Sequence, residues 1–175
     1  MKYFQYDILF YFNYSFSNFA YGIIGLINQI GIIVKFFIAT DHAGIAIKSE
    51  VISILENMGH KVIDLGPKDA SRVDYPDFAH KLSYEVLKNK GTHGILICGT
   101  GIGMSLSANK HKGIRAALCH NAYTAIMARA HNDANVLCFG QRVVGLGVIE
   151  SILEGWCKTD FEGGRHAQRV AKIEI

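Results

Sequence analysis

The chain has 175 residues, half of them hydrophobic, with two prolines and a formal charge of +3. That is the length of one domain, enough to bury roughly two-thirds of its unfolded surface, and no disordered or low-complexity tract stands out. Its positive charges are scattered rather than gathered in a stripe with interleaved aromatics, which argues against a nucleic-acid partner.

Residues 1–33 differ from the rest. Phe, Tyr, Ile and Asn dominate there, and Lys2 and Asp7 are the only charges. The apolar stretch 21–33 contains Asn28 and Gln29 and falls short of the ~20 residues that a membrane span needs. A basic leader and a small-residue cleavage site are missing too. Three readings stay open: an anchor, a packed extension, or a stretch foreign to a native chain that starts at Val34. The composition is what AT-rich DNA encodes and a valine codon can start translation, which favours the third. We therefore expect no membrane association and treat 34–175 as the domain that carries function.

From Val34 onward, apolar runs alternate with segments of helical period. The run VKFFIAT (34–40) leads, after Thr40-Asp41-His42, into Ile47, Val51, Ile54, Leu55 and Met58, the stripe of an amphipathic helix that Gly59 ends. KVIDL (61–65) is the second strand, followed by a helix over 78–87. GILICG (94–99) is the third, followed by a helix over 102–109. IRAALC (114–119) and NVLCFG (135–140) bracket a helix over 123–130, and a fifth helix covers 146–156. Near-continuous hydrophobicity suits strands covered on both faces. The alternation predicts an α/β, Rossmann-like three-layer α/β/α sandwich around a five-stranded parallel sheet.

Ligands of such sheets bind beyond the carboxyl ends of the strands. There the sequence places Asp41-His42 and Cys98-Gly-Thr-Gly-Ile-Gly103. The three glycines let a backbone approach an anion, and successive amides hold negative charge. This is not a dinucleotide fingerprint, because Met104 stands where the last glycine of GxGxxG belongs, and the next strand ends in Leu118-Cys119 without an acid. Cys98 heads the loop, where amides favour its thiolate. Asp41 reads equally well as a helix cap or as a hydroxyl ligand. His131-Asn132 closes the fourth helix and complements its dipole in the plain reading. Arg165 and Arg169 stand four residues apart, on one face if the segment is helical, which suits a phosphate or a solvated basic surface.

Cys98, Cys119, Cys138 and Cys157 form no CxxC pair and have no histidines at metal spacing. We expect reduced thiols, no disulfide, no metal and no cofactor, in a reducing cytoplasmic compartment.

Six blocks in order, TDHAG (40–44), DYPDFA (74–79), ILICGTGIGMSLSANK (95–110), GIRAA (113–117), ARAHNDANVLCFGQRVVG (128–145) and FEGGRHAQRV (161–170), closely resemble the B-type ribose-5-phosphate isomerases. The resemblance implies an aldose–ketose isomerase of the non-oxidative pentose phosphate pathway, acting on ribose 5-phosphate and ribulose 5-phosphate through a cis-enediolate. It implies a homodimer, open to pairing into a dimer of dimers, with sites at the subunit interface. Residue by residue, Cys98 matches the base and His131 the ring-opening group. Asp41 and Asn132 match hydroxyl ligands. Gly99, Thr100, Gly101, Ile102 and Gly103 match the anion cradle, with the Thr100 hydroxyl assisting catalysis. His42, Arg142, Arg165 and Arg169 match the phosphate set. Relatives with serine in place of the cysteine use a glutamate where this chain has Met104, so the chain resembles the cysteine branch. Isomerisation of allose or galactose 6-phosphate, or non-catalytic sensing of a sugar phosphate, are the alternatives.

Overall fold

The structure, a computed structural model, describes residues 33–174. The three readings of the N-terminal stretch fall, apart from Ile33, on residues outside these. Five strands, β1 (Lys35–Thr40), β2 (Lys61–Asp64), β3 (His93–Cys98), β4 (Ala116–Leu118) and β5 (Val136–Gly140), form one sheet in the order β2-β1-β3-β5-β4. Every pairing is parallel.

The strands alternate their side chains between two faces, and both faces are covered. Phe36, Ile38, Ile95, Ile97, Leu137 and Phe139 point to one side. There they meet α1 (Lys48–Asn57), α4 (Ala122–Asn132) and α5 (Leu146–Cys157), whose Val51, Leu55, Ala125, Ile149, Ile152, Leu153 and Trp156 are buried. Phe37, Ala39, Leu96 and Cys138 point to the other side, against Ala79, Leu82 and Val86 of α2 (Tyr75–Lys88) and Met104 and Ala108 of α3 (Ile102–Ala108). This is the expected three-layer sandwich, and its spacing of three and four residues along α5 is what places four large side chains in one core. Among the described residues no helix is long and apolar enough to cross a membrane.

Three details differ from the sequence reading. Helix α2 begins at Tyr75 rather than Phe78, because Pro76 fits the first turn, where its missing N–H costs nothing. Strand β4 is only three residues long. A sixth helix, α6 (Arg165–Val170), follows Gly163 and Gly164, both at positive φ, where only glycine turns the chain without strain.

At the base of the sheet the Trp156 indole N–H donates to His93 Nδ1 at 3.1 Å. Burial, and secondly the nearby Arg129 charge, push the His93 pKa from 6.5 down to about 4. The unfolded chain therefore takes up a proton near 6.5 that the folded chain resists until about 4, so this part of stability is complete above 6.5 and is lost as pH falls toward 4. Urea denaturation across that window is expected to show a loss that His93→Gln, whose amide oxygen can accept the same indole proton, largely removes. An equal pH dependence in both proteins would refute the assignment.

Candidate active site

Cys98 is the last residue of β3 and is 5% exposed. Its side chain packs in the core on the α2 and α3 side of the sheet, beside the loop, where the Gly101 N–H donates to Cys98 Sγ at 3.0 Å. A hydrogen bond of this kind strengthens when the acceptor is ionised. Gly101 has φ +80°, and a Cβ there would come within 2.6 Å of Leu118 Cδ1 and 2.8 Å of the Phe139 backbone, so only glycine lets the turn sit against β5. The Ile102 N–H donates to Thr100 Oγ1 at 3.3 Å and starts α3. The Thr100 and Gly103 amides donate to no backbone carbonyl among the described residues, which leaves them for a ligand. Tyr75, at the start of α2, lies over Gly103, where a Cβ would meet its ring at 2.7 Å. Met104 is wholly buried and offers no base.

The turn after β1 closes on the same loop. Gly44 approaches β3 so tightly that a Cβ would meet the Ile97 carbonyl at 2.6 Å. Asp41 is buried, and its Oδ1 accepts the Ala43 N–H at 2.8 Å. The capping reading does not hold: the bond closes a turn two residues long, and the helical turn Ile45–Ile47 starts at Gly44 without a side-chain cap, while Oδ2 accepts nothing among the described residues. His42 is exposed, with Nδ1 at 3.2 Å from the Val73 carbonyl oxygen. Arg142 follows β5, donates its N–H to the Gly99 carbonyl at 3.1 Å, and lays its guanidinium over Gly99. Gln141 links the two loops: its N–H donates to the Cys98 carbonyl at 2.9 Å, and its side-chain amide, with the nitrogen assigned to the end that faces two carbonyls, reaches those of Ala43 and Gly44 at 3.2 and 3.3 Å. β1 and β3 flank the point where the strand order reverses, the usual place for a ligand crevice.

His131 and Asn132 end α4, and two arginines fix that end. Asp133, at φ +45°, pairs with Arg115 at 2.8 Å and with Arg129 at 3.2 Å, and Arg129 also donates to the Ala134 carbonyl at 2.6 Å. The Glu162 N–H donates to the Ala130 carbonyl at 3.0 Å, which docks the segment leading into α6 against the same end. His166, on α6, is buried and stacks face to face on His131, ring centroids 4.2 Å apart and planes 3° from parallel. Burial, and next the neighbouring His131, lower the His166 pKa. Arg165 Nε lies 3.4 Å from His166 Nε2. Arg165 and Arg169 are both exposed, one turn apart.

The predicted residues therefore fall into two groups. Asp41, His42, Cys98, Gly99 through Gly103 and Arg142 gather at the carboxyl edge of the sheet. His131, Asn132, Arg165 and Arg169 do not join them. Helix α4 runs from the carboxyl end of β4 back to the start of β5, so it carries His131 ~14 Å toward the opposite edge. Among the described residues no hydrogen bond or ion pair connects the groups. Sequence reasoning gave no role to Gln141 or Glu162. For Glu162 a signal existed, since Glu162 and His166 stand four residues apart. For Gln141 none did, because its link depends on the folding of β1 beside β3.

The Ribose/Galactose Isomerase family profile matches residues 36–173. Ribose-5-phosphate isomerase B of Escherichia coli (strain K12) is 45% identical over 139 residues, covering 79% of this chain and 93% of that protein. Among solved structures, ribose-5-phosphate isomerase B of Clostridium thermocellum superposes with a TM-score of 0.78 at 49% identity, over 81% of this chain and 95% of that one. The type B ribose 5-phosphate isomerase of Trypanosoma brucei gives 0.79 at 43% identity, over 82% and 98%.

Proposed function

The chain belongs to the Ribose/Galactose Isomerase family, and on that premise we propose that residues 34–175 form an aldose–ketose isomerase that interconverts ribose 5-phosphate and ribulose 5-phosphate, as the B-type relatives are named for doing. The observation that carries the mechanism is the Cys98 sulfur, held by the Gly101 N–H at the mouth of a glycine loop with open amides.

His131 opens the sugar ring by passing a proton between the ring oxygen and the C1 hydroxyl. The Cys98 thiolate takes the C2 proton, and the electron pair left behind forms a cis-enediolate whose oxygen charge rests on the loop amides and the Thr100 hydroxyl. The proton then returns to C1 while the C2 hydroxyl proton passes to the C1 oxygen, which gives the ketose. A general base supplies about 10² to 10⁴ in rate. Each well-placed amide adds about 3 kcal/mol of transition-state stabilisation, so the loop must share the work. Asp41 Oδ2 and Asn132 take hydroxyls. His42, Arg142, Arg165 and Arg169 hold the phosphate, which fixes C1 and C2 beside the sulfur.

One chain does not bring His131 beside Cys98, since α4 carries it to the far edge of the sheet. This supports a homodimer in which the partner lends His131 and Asn132. The contact of Arg165 with His166, itself stacked on His131, supports counting Arg165 and Arg169 with the lent group. A reducing cytoplasm suits a mechanism that needs a free Cys98 thiol.

The test is turnover of ribose 5-phosphate beside allose 6-phosphate and galactose 6-phosphate, with preference for the five-carbon substrate expected. Arg165→Ala is expected to raise KM by at least about tenfold while kcat changes less, because a lost charge-assisted phosphate contact is worth about 1.5–3 kcal/mol. Unchanged KM and kcat would remove Arg165 from the phosphate site.

A further inference from the structure

The groups around His131 carry a chemistry that isomerisation does not use. His131, Glu162 and His166 come from three segments, the end of α4, the loop after α5, and α6, and offer one donor atom each, all within 4.8 Å of one another. Glu162 Oε2 is 3.8 Å from His131 Nε2 and 3.4 Å from His166 Nε2. The two rings are parallel and stacked, so their in-plane lone pairs run side by side, and the His131 ring must tilt out of the stack for both rings to reach one ion.

We propose that His131, Glu162 and His166 form a capture site for a zinc-type divalent cation, whose occupation takes His131 out of catalysis. Two imidazoles and one carboxylate are the donors that such cations prefer, whereas magnesium and calcium want oxygen throughout. Bonds of about 2.0–2.2 Å in a tetrahedron set neighbouring donors roughly 3.4 Å apart. The Glu162 to His166 pair is already at 3.4 Å, and the remaining pairs must close by about 1.5 Å at most. The parts that must move are free to do so: the Glu162 side chain is 54% exposed and His131 36%, while buried His166 is the fixed point. Three protein donors leave a fourth position open for water or for an oxygen of the sugar.

Other places on the described chain fit such an ion less well. His80 Nδ1 and His111 Nε2 meet at 2.7 Å but bring no third donor. Cys98 has its sulfur bonded to the loop. The inhibitory half of the proposal rests on the ring-opening role given to His131; the binding half does not.

The experiment uses the full chain freed of metal by chelation. Calorimetric titration with Zn²⁺, and the visible bands of Co²⁺ in the same site, are expected to show one ion per chain. Glu162→Gln and His166→Gln should each weaken binding by at least about tenfold, the smallest loss that even an indirect partner of a ligand produces. Cys98→Ala and His111→Gln should bind as wild type does. X-ray absorption of the Zn²⁺-loaded wild type should show two imidazoles and oxygen without sulfur, a readout that needs no variant to fold. Turnover should fall as the site fills and return on chelation. Sulfur in the coordination sphere, or binding undiminished in both triad variants, would overturn the site. Absent binding beside normal turnover would overturn it too and leave the isomerase mechanism standing. An ion bound at the triad with turnover unimpaired would overturn the inhibitory half and remove His131 from ring opening.

Discussion

Cys98→Ala is expected to lower isomerisation of ribose 5-phosphate by between about 10² and 10⁴, the share that a positioned base contributes, or about 3–5 kcal/mol of barrier. The fold should survive. Cys98 ends β3, and the change removes one sulfur from a largely packed position, which costs on the order of 1 kcal/mol. The glycine loop keeps its shape for reasons other than the sulfur: the left-handed φ of Gly101, its close approach to Phe139, and the bond from the Gln141 N–H to the Cys98 backbone carbonyl all remain. Substrate affinity should therefore change far less than kcat, since the phosphate and hydroxyl ligands are elsewhere. A variant that unfolds, or that loses only binding, would point to a packing role. Circular dichroism and steady-state kinetics on the same preparation separate these outcomes.

The second large effect comes from mixing inactive proteins. His131→Ala should be as deficient as Cys98→Ala when the ring-closed sugar is supplied. If the partner lends His131, subunits that re-associate at random from an equal mixture of the two variants form hybrids in about half of the dimers. Each hybrid holds one site with both residues intact, so activity should recover to roughly a quarter of the wild-type level. A site built within one chain predicts no recovery at all. The expectation follows from topology: α4 must run antiparallel to the strands to connect β4 with β5, and this separates its last turn from the edge where Cys98 sits.

The sheet was legible because buried parallel strands read as unbroken apolar runs: the ILIC of β3 and the VLCF of β5 are buried throughout. β2 was harder in kind, since Lys61, Ile63 and Asp64 are exposed at the edge of the sheet, and its signal was the flanking turns. Helix α6 escaped because six residues carrying two arginines, a histidine and a glutamine show no apolar stripe; only His166 is buried. The Cys98 loop was legible because its glycines must be glycines, which contacts of 2.6 and 2.7 Å at Gly101 and Gly103 now explain. The order β2-β1-β3-β5-β4 was not, because strand order depends on which faces of the helices meet, and no local pattern encodes it. That order brings Gln141 and Arg142 to the loop. The stack of His131 on His166 likewise joins residues 35 positions apart through the docking of Glu162 on Ala130. The spacing of Glu162 and His166 hinted at a pair, but nothing in the sequence pointed it at His131.

Proton abstraction itself can be isolated from ring opening and product release by following the label of C2-deuterated ribose 5-phosphate. Wild-type protein is expected to convert it with a primary isotope effect and to move deuterium from C2 to C1 or, by exchange at the Cys98 thiol, to solvent, while Cys98→Ala, folded and saturated with substrate, leaves the label at C2. Loss of the label at the wild-type rate from that variant would show that another group takes the proton.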